Sequence, residues 1–158
     1  MSAITPKRGT QNLGRKWLTV LFFTRWRKTN KDRVGRWGER TVLREITAAG
    51  LIPVATNWRD RLGEIDIIAI DRQCLVMIEV KTRHESLKGA YPALSAIDHK
   101  KRERLESLGR SFIRNNGPFC RRYAIKNRRT DGVEVYYCRS RLGSFKVAGV
   151  YWHRNIGH

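Results

Sequence analysis

The chain predicts an α/β domain with a mixed β-sheet flanked by helices. Three observations carry that expectation. Val42, Leu43, Ile46 and Ala49 repeat at helical spacing, one apolar stripe of an amphipathic helix. Residues 63–81 then hold two apolar runs separated by the short polar stretch Asp71-Arg72-Gln73-Cys74, a strand–turn–strand signal. A second helical stripe, Ile97, Leu105, Leu108 and Phe112, divides these strands from a strand-like last third. Helix, strands, helix, strands in 158 residues makes one domain with a sizeable core.

Taken in order, residues 1–33 form a basic N-terminal extension and 34–158 the domain. Leu13, Trp17, Val20, Leu21 and Thr24 have helical spacing, so the extension predicts a short amphipathic helix that docks on the domain or a partner, with attachment to a membrane surface the less favoured role. A helix runs from about Arg36 to Ala49 and stops at Gly50, a residue suited to ending helices. Glu39 falls on its apolar stripe, either as a buried acid or as a charge favoured near a helix N-terminus. Leu51 to Trp58 suits an edge strand, because Pro53 lacks the N–H a central ladder requires. Arg59 to Gly63 turns into the hairpin, and Thr82 to Pro92 reads as a loop. The second helix spans about Ser95 to Arg114, its stripe interrupted by Lys101. Phe119 to Lys126, Val133 to Cys138 and Phe145 to Trp152 read as strands, the first two joined by a turn at Asn127–Gly132, where Asp131-Gly132 is a strong turn signal.

The hairpin carries the chemistry. If Ile70 faces Leu75, Asp66 lies across from Glu79, and Lys81 shares the face of Glu79 because side chains two apart point the same way. Directly opposed residues have Cβ atoms about 4.5–5.5 Å apart, where like charges repel. The other residues on both faces are Ile, Leu, Val and Met, so the strands are buried on both sides. Buried carboxylates are paired or bound to metal, and a divalent cation is the simplest partner for two of them. The alternative is a solvated outer face on which Lys81 pairs with Glu64.

Lys and Arg number 33 against 14 Asp and Glu, a net charge of +19. Such an excess exceeds what solubility requires and points to nucleic acid or an anionic surface. Three cysteines without CxxC spacing and four scattered histidines argue against zinc and for a reduced, cytoplasmic protein. No run approaches the roughly 20 apolar residues of a membrane span. The apolar run Trp17–Phe23 is followed by Arg and Lys instead of a small-residue cleavage site, so export is not expected.

Asp66, twelve residues, then Glu79-Val80-Lys81 resembles the PD-(D/E)xK signature of the restriction-endonuclease-like superfamily. More specifically, Gly38-Glu39-Arg40, Asn57-Trp58-Arg59, Gly63-Glu64-Ile65-Asp66-Ile67-Ile68-Ala69, Ile78-Glu79-Val80-Lys81-Thr82-Arg83 and Ile97-x-x-x-Lys101-x-x-x-Leu105 resemble the YraN-like family. These are small bacterial proteins regarded as endonucleases and similar in fold to archaeal Holliday-junction resolvases. The resemblance covers about residues 33–125. It implies a restriction-endonuclease-like mixed sheet and a site in which Asp66, Glu79 and the Val80 carbonyl hold Mg²⁺ or Mn²⁺, with Glu39 completing the cluster directly or through water. Lys81 would orient the attacking water or steady the transition state. Arg83 and Lys101 would ground a neighbouring phosphate, and Arg36, Arg59, Arg61 and Arg104 would line the path of the nucleic acid. It also implies a homodimer, as in junction-cleaving relatives. Family members carry an Arg-Phe-Asp-Val strand near the C-terminus. Cys120-Arg121-Arg122-Tyr123-Ala124-Ile125 is the segment matched to it, and it lacks the Asp.

The function expected is metal-dependent hydrolysis of structured or branched DNA, with RNA less favoured. The competing expectation is a non-catalytic nucleic-acid-binding protein that keeps the fold.

Overall fold

The structure is a computed structural model, and it describes residues 33–90 and 99–156. The expected N-terminal helix, the residues flanking Pro92 and the stripe residue Ile97 lie outside the described residues, whereas residues 33 and 34 are both described and helical. Five strands form one mixed sheet in the order β1-β2-β3-β4-β5. They are β1 (Ile52–Asp60), β2 (Gly63–Asp71), β3 (Cys74–His84), β4 (Asn127–Arg139) and β5 (Phe145–His153). All neighbours are antiparallel except β3 and β4, which are parallel. A parallel pair needs a crossover, and the chain between β3 and β4 supplies it with α2 (His99–Asn115) and α3 (Gly117–Arg122). No helix among the described residues is long and apolar enough to cross a membrane.

Each face of the sheet has its own helix and its own core. α1 (Arg33–Ala48) buries Val42 and Ile46 against Ile67, Ala69, Val76, Ile78, Val133 and Val135. On the other face α2 buries Leu105, Leu108 and Phe112 against Trp58, Ile68, Ile70, Leu75 and Met77. The apolar positions at helical spacing and the two-sided apolar strands therefore find each other as expected. Each fully buried Leu or Ile contributes roughly 1.5–3 kcal/mol of burial. Two glycines set how closely the helices approach. An added Cβ at Gly109 would meet Met77 Sδ at 2.2 Å, and one at Gly38 would meet Thr82 Oγ1 at 1.8 Å. α2 is also tied to the end of β1 by the Ser111 hydroxyl, which hydrogen-bonds Asp60 and, with the Arg61 amide, holds its carboxyl below the ordinary range.

The edge position of β1 and the Ile70–Leu75 register are as expected. Other expectations change. β3 continues through Thr82, Arg83 and His84, and a short 3-10 turn (Glu85–Leu87) follows it, so the expected loop starts later. Phe119–Lys126 is not a strand: Pro118 opens α3 at a position where its missing N–H costs nothing. The strand begins instead at Asn127, through the stretch expected to turn. Asp131-Gly132 does not turn, because the Asp131 carboxylate is fully buried and held by Arg129 Nε (3.1 Å), Trp152 Nε1 (3.0 Å) and the Asn155 amide (2.9 Å). These tertiary bonds replace the local ones that make Asp-Gly a turn former. An Arg-x-Asp sequence does occur on β4, as Arg129-Thr130-Asp131.

Candidate active site at the parting of two strands

The β2–β3 ladder runs from Asp71↔Cys74 only as far as Ile67↔Ile78. Asp66 and Glu79 would be the next pair, and there the strands part. The Asp66 carboxylate, 8 % exposed, turns into the gap, where Oδ2 accepts the Val80 N–H at 2.9 Å. A side chain has taken the place of the carbonyl that a continued ladder would have offered this amide.

β1 is irregular at the same level of the sheet. Asn57 has φ +52°, in the left-handed region, and occupies the step between Thr56↔Ile67 and Trp58↔Ile65, beside Asp66. Asn tolerates this conformation better than most residues. The alternation of faces slips at the same point: Ile65 joins the core under α2 with Ile68 and Ile70, whereas Ile67 joins the core under α1. Asp66 therefore does not share a simple face with Glu79, as strict alternation would require. It sits between the faces.

Glu79 lies on the α2 face, and Lys101 Nζ of α2 donates to its Oε1 at 2.7 Å. Lys81, two residues on, is exposed and makes no ion pair among the described residues. Glu39 approaches from the α1 side, buried at 7 %, and accepts Asn57 Nδ2–H at 3.0 Å. Asn57 was without an assigned role in the sequence reading. It both holds Glu39 and occupies the twisted step beside Asp66, and an Asn inside a β-branched and aromatic strand was the signal for it.

The expected basic residues fall into different settings. Arg83 is on β3, mostly buried, with Nη1 2.6 Å from Glu134 Oε1. Arg59 is taken up by Glu64, which therefore does not serve Lys81, with Nε to Oε2 at 2.7 Å. Arg61 and Arg104 are exposed at the β1–β2 turn and on α2, and Arg36 is half-buried on α1. Lys101 is engaged with Glu79, so a phosphate-directed role requires it to change partners.

Among the described residues no three of Asp, Glu, His and Cys come together closely enough to hold a metal ion. Glu39 is thus not gathered with Asp66 and Glu79 into one ligand set. The donor chemistry still fits a hard cation. Two carboxylates and the Val80 carbonyl are all oxygen donors, and Mg²⁺ characteristically takes one or two carboxylates, several waters and substrate oxygens. The Lys101 ammonium at Glu79 shows that this carboxylate already accepts a cation as its neighbour.

A family profile described as "Uncharacterised protein family UPF0102" matches residues 38–135, which contain Glu39, Asp66, Glu79, Lys81 and Asp131. This chain belongs to the UPF0102 family, the YraN-like group. It is 47 % identical over 78 residues to a UPF0102 protein of Kineococcus radiotolerans, covering 49 % of this chain and 62 % of the relative. A UPF0102 protein of Beutenbergia cavernae is 37 % identical over 117 residues, covering 74 % of this chain and 92 % of that protein. One from Streptomyces coelicolor is 42 % identical over 89 residues, covering 55 % and 66 %. The matched stretch thus spans less than two thirds of the Kineococcus and Streptomyces relatives. The α/β architecture with a mixed sheet between helices is consistent with the restriction-endonuclease-like fold expected from the sequence.

Proposed function

We propose that this UPF0102 protein is a metal-dependent endonuclease that hydrolyses phosphodiester bonds of structured or branched DNA. The observation that carries the reading is the position of Asp66. It is a nearly buried carboxylate set into the gap where β2 leaves β3, one step from Glu79 and its neighbour Lys81. Opening a sheet and burying an acid in the opening costs stability, and a structural role alone gives no return for the second acid and the lysine.

Asp66, Glu79 and the Val80 carbonyl would hold Mg²⁺ or Mn²⁺. Bound there, the ion would supply an activated water and polarise the scissile phosphate. Lys81, exposed beside Glu79, would hold the nucleophilic water in line or neutralise charge developing on the phosphate oxygens. Lys101 would move from Glu79 to a phosphate oxygen as the ion takes its place. Glu39 acts through Asn57, fixing the backbone twist beside Asp66, and is a positioning residue in this arrangement. The net charge of +19 supplies the attraction for the nucleic-acid backbone.

The competing reading, a binding protein without catalysis, has support in one observation: among the described residues no three acids converge. Cleavage of duplex, single-stranded, flap and four-way DNA and of RNA, in Mn²⁺ at low salt, decides between them when the wild type is run beside Glu79→Ala. Cleavage by the wild type alone supports the enzyme. Equal binding with no cleavage by either protein favours the binder.

A further inference from the structure

The part of the sheet next to Lys81 holds a second polar group that the PD-(D/E)xK pattern does not include. Register places Glu134 of β4 directly beside Lys81 of β3, and neighbours in register share a face. Glu134 is only 5 % exposed. A buried carboxylate beside an exposed lysine would be expected to bond it, yet both oxygens go elsewhere. Oε1 reaches diagonally to Arg83 Nη1 at 2.6 Å, and Oε2 meets His153 Nε2 of β5 at 3.2 Å. His153 in turn lies in register with Gly132, whose other neighbour is Glu79. One row of the sheet therefore reads Glu79, Gly132, His153, and the next reads Lys81, Glu134, Tyr151. The Tyr151 hydroxyl is bonded by Lys88.

The geometry points to a phosphate subsite beside the reacting centre. We propose that Glu134, braced by His153, positions Arg83 to bind a phosphate of the nucleic-acid strand next to the one faced by Lys81. The inference rests on the nucleic-acid reading above. An arginine has five donors in a planar fork. Fixing Nη1 on a carboxylate sets the plane of the fork. Lys81 and Arg83 are two residues apart on one face, about 6.6 Å along the strand, so two adjacent cations address successive parts of one backbone. A carboxylate only accepts, so His153 donates to Glu134 through Nε2. Glu134 and His153 are positioning residues here.

The alternative is a plain interstrand ion pair, and the two differ in sign. If Glu134 is only a neighbouring negative charge, Glu134→Gln removes it and tightens anion binding. If it positions Arg83, Glu134→Gln weakens binding, because the amide has one acceptor oxygen in place of two and turns its NH2 toward Arg83 or His153. The measurement is fluorescence anisotropy of a labelled 20-base-pair DNA duplex without divalent metal, across a salt series, with urea midpoints as the folding control. Glu134→Gln and His153→Phe are expected to weaken binding roughly three- to tenfold and to lower the salt slope by about 0.9, one phosphate contact. His153→Gln keeps an N–H donor and should restore most of the affinity. Unchanged binding by His153→Phe, or tighter binding by Glu134→Gln, overturns the inference and leaves the nucleic-acid reading standing. No binding by the wild type overturns both.

Discussion

Replacing Gly38 by Ala tests how the fold delivers Glu39 to the site. In a helix interior Gly→Ala ordinarily stabilises by about 1 kcal/mol, because glycine loses the most backbone freedom on folding. Here the new Cβ would lie 1.8 Å from Thr82 Oγ1, 2.9 Å from its Cβ and 3.1 Å from its Cγ2. Threonine is stiff at χ1, and its Cβ cannot move without β3, so rotation cannot relieve all three contacts. Overpacking of this kind costs roughly 1–3 kcal/mol, and the severity of the overlap places it at the upper end. Against the propensity gain, the net loss is about 2 kcal/mol. For a chain of this size that is a fall in Tm of about 4–8 °C. Urea denaturation of the wild type, Gly38→Ala, Thr82→Ala and the double variant measures it. Thr82→Ala removes the two outer atoms and a buried hydroxyl that has no hydrogen-bond partner among the described residues. The double variant should therefore recover at least half of the loss, an interaction energy of about 1 kcal/mol or more. A Gly38→Ala protein more stable than the wild type would refute the close α1–β3 contact, and with it the placement of Glu39.

Lys101→Met should have opposite effects on metal and on turnover: Mn²⁺ binds more tightly once the ammonium leaves Glu79, while cleavage slows about tenfold through loss of a phosphate contact. Mn²⁺ titration and single-turnover cleavage on the same preparation read the two effects, and weaker Mn²⁺ binding would contradict the shared position. Asp131→Asn should cost about 3–5 kcal/mol, because it breaks a buried pair and sets an amide against three donors. Urea unfolding and Trp152 fluorescence read that loss, and a change under 1 kcal/mol would remove Asp131 as the tie between β4, β5 and the following turn.

Much of this arrangement was legible in the residues, for identifiable reasons. The hairpin was readable because Ile, Leu, Val and Met occupy both faces of 63–81 and the polar stretch after Ile70 fixes the register. Both helices were readable from their stripes. β4 was misread because Arg128, Arg129, Asp131 and Gly132 have the local chemistry of a turn; only Trp152 and Asn155, more than twenty residues away, make Asp131 a strand residue. The site was half legible. Spacing found Asp66, Glu79 and Lys81, but strict alternation placed Asp66 on the face of Glu79. The twist at Asn57 interrupts that alternation, and a single left-handed residue leaves little trace in hydropathy. Glu134 and His153 belong to strands far from the motif, so only the register of the sheet assembles them beside Lys81.

The most direct test of the central claim is the position of a bound ion. Adding substoichiometric Mn²⁺ to ¹⁵N-labelled protein should broaden the amide signals of Asp66, Glu79 and Val80 first, and Asp66→Asn with Glu79→Gln should abolish the effect. Broadening centred elsewhere, or none at millimolar Mn²⁺, would contradict a metal-dependent nuclease at the parting of β2 and β3.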